Sequence, residues 1–98
     1  MDNNSIVSAK ENQVYAYLSD EAVILNLQTG VYFGLNSIGA NIWKLLQKPV
    51  SISQIRDWVI EEYNVSAERC EQDIIDLVRK LDEVDLIEIK NAQDPQIS

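Results

Sequence analysis

The sequence predicts an α+β fold: a winged helix-turn-helix preceded by a three-stranded antiparallel sheet, in the order β-β-β-α-α-α with a short final strand. Three observations lead there. Strand formers cluster over Val14–Leu18, Ala22–Leu27 and Val31–Leu35, with turn residues between the clusters. Three stretches with apolar residues at helical spacing follow, each opening on a residue able to cap a helix. Asp85-Leu86-Ile87-Glu88-Ile89 then returns to strand character.

Each element has its own signal. Ser19-Asp20 supplies turn chemistry for a first hairpin, and Gln28-Thr29-Gly30 supplies a second turn with Gly where a positive φ is cheap. The three strands therefore form a meander in sequence order. Asn36 or Ser37 caps the first helix, whose Ile38, Ile42, Leu45 and Leu46 lie on one face. Lys48-Pro49 stops it. Ser51-Ile52-Ser53-Gln54 reads as a capping box, and Ile52, Ile55, Val59 and Tyr63 form the buried face of the second helix, which ends near Asn64. Ser66 caps the third and longest helix, with a stripe of Cys70, Ile74, Leu77, Leu81 and Val84 and with Val78 at its margin.

Ninety-eight residues suit one small domain with little interior for a deep active site. Its expected extent is 13–90, after a flexible lead-in over 1–12 and before a frayed tail over 91–98. The start lacks the charge and apolar block of a secretory signal, and no apolar run approaches the length of a membrane span. A cytoplasmic protein is expected, and the lone Cys70 fits a reducing compartment as a small buried hydrophobe.

Charge and composition then narrow the function. Sixteen acidic residues against eight basic ones give a formal charge of −8, the wrong sign for nucleic acid or an anionic membrane. A winged helix-turn-helix is often a DNA reader, yet the third helix carries Glu68, Glu71, Asp73, Asp76, Asp82 and Glu83 against Arg69, Arg79 and Lys80. A duplex would be repelled by that surface. Histidine is absent, no Gly-rich phosphate loop is present, and no nucleophile has an evident base beside it. The expectation is a protein that is not an enzyme and holds neither metal nor cofactor.

What remains is the third strand. Val31-Tyr32-Phe33-Gly34-Leu35 contains no Lys, no Pro and no inward charge of the kind that protects a sheet edge. Such an edge invites a further strand: a peptide ligand, the final strand of the same chain, or a second copy of the protein. Ile75 lies off the core stripe of the third helix, between Glu71 and Asp82, and offers apolar surface on that flank.

With these residues in view, the chain resembles the PqqD-like family of leader-peptide-binding domains, also called RiPP recognition elements, over roughly Val14 to Ile89. Leu27-Gln28-Thr29-Gly30-Val31-Tyr32-Phe33-Gly34-Leu35-Asn36-Ser37-Ile38-Gly39-Ala40-Asn41-Ile42-Trp43 is similar to that family's pattern of strand, Leu-Asn, Gly and Ile-Trp. Weaker echoes lie in Tyr63-Asn64-Val65, in Asp73-Ile74 to Leu81, and at Asp85-Leu86-Ile87. Among such proteins it is most similar to the free-standing B-type subunits of lasso-peptide gene clusters. The resemblance implies a non-enzymatic adaptor that binds the leader of a ribosomally made precursor peptide as an added strand. It also implies a partner that processes the leader, a cysteine protease in lasso systems or a radical enzyme in the quinone-cofactor pathway. Carried over by position, Val31, Tyr32, Phe33, Gly34 and Leu35 supply backbone pairing and pockets, and Ile74, Ile75 and Val78 supply the opposite wall. From another class, an acidic winged-helix module for oligomerisation or regulation stays open as the alternative.

Overall fold

The computed structural model describes residues 2–90. Nine elements follow one another among them: β1 (Ile6–Ala9), β2 (Gln13–Leu18), β3 (Glu21–Asn26), β4 (Tyr32–Leu35), α1 (Ser37–Leu45), β5 (Val50–Ser51), α2 (Ile52–Tyr63), α3 (Ala67–Glu83) and β6 (Ile87–Lys90). They make the expected α+β fold, in which α2 and α3 form the helix-turn-helix. The meander is present as a sheet in the order β2-β3-β4, antiparallel throughout, with Ile24 opposite both Tyr15 and Phe33.

The lead-in is a correction. Residues 6–9, expected to be loose, form the central strand of a second sheet in the order β5-β1-β6. Val7 pairs with Val50 on one side and Ile89 on the other, and is fully buried. Four residues with one alternation give almost no periodic signal, so tertiary pairing, not local pattern, decides this segment. The final strand, expected over Asp85–Ile89, is placed at Ile87–Lys90 against β1. It therefore leaves β4 uncovered. The expected tail, residues 91–98, lies outside the described residues.

Caps set the helix starts. Asn36, not Ser37, caps α1 by accepting from the Gly39 N–H at 2.9 Å. A Cβ added to Gly39 would come within 3.1 Å of the Leu35 side chain, so glycine lets α1 close tightly on the end of β4. The capping box at α2 is complete, with Ser51 and Gln54 each accepting the other's main-chain N–H, and Asn64 ends the helix in the left-handed conformation. Ser66 has N-cap dihedrals at α3 but makes no side-chain capping bond.

Each of these apolar stripes departs from expectation at its margin. On α3 the buried residues are Cys70, Ile74, Val78 and Leu81, and Leu77 is only half-buried. On α1, Gly39, Ala40, Ile42 and Trp43 turn inward and Ile38 is exposed. Trp43, Leu46, Ile52, Ile55 and Leu86 complete a core shared by the three helices and both sheets. The displaced apolar residues, Ile38 and Leu77, reappear together at the surface groove.

Candidate peptide-binding site

β4 is an edge strand, and among the described residues nothing pairs with its outer side. The Asn26 N–H donates to the Val31 carbonyl at 2.9 Å, which marks Asn26 and Val31 as a hydrogen-bonded pair. Such pairs alternate along an antiparallel ladder, so Ile24 with Phe33 and Ala22 with Leu35 also exchange bonds. Tyr32 and Gly34 accordingly turn their N–H and C=O groups outward. Val31 precedes the strand, and its N–H donates to Thr29 Oγ1 at 3.2 Å. Both its main-chain groups are engaged within the turn, so the backbone pairing expected of Val31 falls to Tyr32 and Gly34.

Beside this edge runs a groove of about 370 Å³ between β4 and α3. Phe33 and Leu35 form one wall, and Ile38, Gly39 and Ile42 of α1 form the base. Arg69, Asp73, Ile74, Leu77 and Lys80 of α3 make the far wall, and Val59, Val65 and Cys70 complete the lining. The lining is chiefly apolar, and Ile38 and Val65 expose 38% and 40% of their surfaces, enough to hold an incoming side chain.

Of the eight residues expected at the site, Phe33, Gly34, Leu35 and Ile74 line the groove, and Tyr32 lies on the strand with its backbone toward the free edge. Val78 does not reach it, being fully buried in the core. Ile75 is also elsewhere: it follows Glu71 by one turn, on the flank where Glu71 accepts from Arg56 Nη1 of α2 at 3.2 Å. The groove lies along the other flank, Arg69-Asp73-Leu77-Lys80, at i, i+4, i+8 and i+11. Of the three residues expected on the far wall Ile74 lines this groove, and Leu77, expected in the core stripe, stands beside it.

Asn26 is the positioning residue that sequence reasoning missed. Fully buried, it donates from Nδ2 to the Val84 carbonyl at 2.9 Å, and its Oδ1 accepts from the Gln28 and Thr29 N–H groups at 2.9 and 3.2 Å. One side chain thus ties the turn before β4 to the end of α3. The available signal was an Asn closing a strand just before Gln-Thr-Gly, the pattern of an Asx-turn.

Charge is sparse within the groove. Arg69 and Asp73 approach to 4.0 Å, and Lys80 pairs with no carboxylate among the described residues. Cys70 lies at the base, donating weakly to the Arg56 carbonyl at 3.9 Å. Burial pushes its thiol pKa up, Asp73 and Glu71 add to that, and Arg56 opposes it. A neutral thiol of this kind is packing material, not a nucleophile.

Tyr32–Leu35 thus presents an open strand edge with outward main-chain groups over an apolar groove walled by one helix. Residues 21–87 match the family described as coenzyme PQQ synthesis protein D, PqqD, and the chain belongs to that family. No curated protein matches it. Two solved structures are similar. One, TbiB1 in complex with the TbiA(beta) leader peptide, is 38% identical with a TM-score of 0.77, over 83% of this chain and 94% of that one. The other, a lasso peptide synthetase B1 complexed with the leader peptide, is 26% identical with a TM-score of 0.74, over 84% of this chain and 96% of that one. No helix among the described residues is long and apolar enough to cross a membrane.

Proposed function

We propose that this protein binds the leader of a ribosomally made precursor peptide as a fourth strand on β4 and presents it to a processing enzyme, in the manner of a lasso-peptide B1 subunit. The observation that carries this reading is the unpaired Tyr32–Leu35 edge lying directly over the β4/α3 groove. A strand added there alternates its side chains, half entering the groove and half facing out beside Tyr32. The two similar structures, both complexes with leader peptides, support the same ligand class. The processing partner that fits this class is a leader-cleaving cysteine protease, to which the bound leader offers its cleavage point beyond the sheet.

Magnitudes are adequate. Two or three apolar anchors at about 1.5–3 kcal/mol each, with strand hydrogen bonds, exceed an ordering cost of about 2–5 kcal/mol. Calorimetry with the leader and with the core peptide of a precursor encoded beside this protein is the test, and binding is expected for the leader alone. Equal affinity for both, or none for either, overturns the proposal.

A further inference from the structure

Among the described residues, sheet β2-β3-β4 has a second open edge. Every residue of β2 from Val14 to Leu18 is exposed, and none from Gln13 to Leu18 is charged, in a chain of net charge −8. Most edge strands carry a Lys, a Pro or a bulge to deter pairing, and β2 has none of these. The Leu27 N–H donates to the Asn12 carbonyl at 2.8 Å, which places Val14, Ala16 and Leu18 in hydrogen-bonded pairs with β3. Tyr15 and Tyr17 therefore turn their N–H and C=O groups away from β3, toward the open edge.

The side chains around that edge are nearly palindromic: Val14-Tyr15-Ala16-Tyr17-Leu18 reads alike in both directions from Ala16. Tyr15 stacks edge-on against Tyr17 and against Trp43, so both tyrosines occupy the face toward α1. Val14 and Leu18, 51% and 57% exposed, stand on the opposite face. Strands related by a two-fold axis run antiparallel, and a self-complementary edge is what an isologous contact requires.

We propose that two copies of this chain pair through β2 about a two-fold axis at Ala16, joining their three-stranded sheets into one of six strands. Tyr15 then exchanges main-chain bonds with Tyr17 of the second copy, and Tyr17 with its Tyr15. Ala16 meets itself in a non-hydrogen-bonded pair, where side chains come closest and a small residue fits best. Val14 of each copy covers Leu18 of the other. Both β4 edges stay open at the outer rims, so the contact is independent of the peptide-binding reading and compatible with it. One six-residue edge buries less than the roughly 1,600 Å² of a standard interface, so the dimer is a weak one.

Sedimentation velocity of the wild-type chain at rising concentration is expected to show a monomer passing reversibly to a dimer. Ala16→Lys sets two like charges together on the axis and is expected to weaken the dimer about tenfold or more, at unchanged melting temperature. Val14→Glu and Leu18→Lys, each weakening alone, are expected to restore the dimer when combined, because residue 14 faces residue 18 of the second copy. In a Cys70→Ser background, Ala16→Cys is expected to give a disulfide-linked dimer on mild oxidation and Leu18→Cys is not. A chain monomeric up to about 1 mM, where even a −4 kcal/mol contact would half-fill, overturns the proposal. So does a dimer indifferent to Ala16→Lys, or one abolished by Tyr32→Pro, which would place the contact on β4.

Discussion

Replacing Tyr32 by proline deletes an N–H that points away from β3, whereas replacing Phe33 deletes one that the ladder uses. Tyr32→Pro is therefore expected to remove leader binding while the melting temperature stays near wild type, and Phe33→Pro to lower the melting temperature itself. Calorimetry and thermal denaturation on the same samples distinguish the two, and equal behaviour would refute the assignment of outward groups. On the far wall, Leu77→Asp puts a charge into the apolar groove and is expected to weaken binding at least about tenfold. Ile75→Glu, on the Arg56 flank, is expected to leave leader affinity unchanged. Cys70 gives a further readout. Its raised pKa means that folding favours the protonated thiol, so its share of stability is full below the ordinary thiol pKa of about 8.5 and declines as pH rises through the folded value. Alkylation of Cys70 is expected to be slow in the free protein and slower with leader bound, since the groove base is then covered.

Among the elements, those with strong local chemistry were legible in advance and those made by pairing were not. Ser51-Ile52-Ser53-Gln54 announces the start of α2 from four residues, and Ser51→Ala is expected to cost about 1 kcal/mol, read as a lowered midpoint in urea. Gly30 sits at φ +76, as a turn glycine should, and Gly30→Ala is expected to cost a similar amount, about 1 kcal/mol. Strands β2 to β4 were readable from β-branched and aromatic runs. The edge position of β4 followed from the meander order, and the absence of charge on Val31 to Leu35 marked that edge as unprotected. By contrast β1 and the two-residue β5 have too few residues to show a period, and only the long-range ladders of β1 with β5 and β6 create them. The stripe of α3 was legible except at its margin, because Leu77 and Val78 are both apolar and only packing decides between them. The Asx-turn at Asn26 was open to a pattern-based reading, but its tie to the Val84 carbonyl, far along the chain, was not. Asn26→Ala is expected to lose about 2–4 kcal/mol and to weaken leader binding as well, by freeing the turn that holds β4 to α3.

At the scale of the molecule, charge sets the choice of partner. A helix-turn-helix of this acidity offers too few cations to replace condensed counterions, so no retained complex with duplex DNA is expected in gel shifts at moderate salt. A sequence-dependent complex would revive a regulatory reading. The same fold that carries a recognition helix in DNA readers here uses that helix's flank as one wall of an apolar groove.

The ladder of β1 with β6 also bears on the order of folding. Sheet β2-β3-β4 is built from adjacent hairpins and can form from neighbouring residues as soon as they are available, whereas β1 must wait for a segment at the opposite end of the domain. Loop closure over nearly the whole chain makes that pairing the slow step. On this ordering the meander precedes the closure of the core, and until Val7 and Ile89 pair, its inward apolar face is bare as well as its two edges. The unprotected strands that suit the protein to capture a peptide are therefore also its point of greatest exposure to misassembly during synthesis.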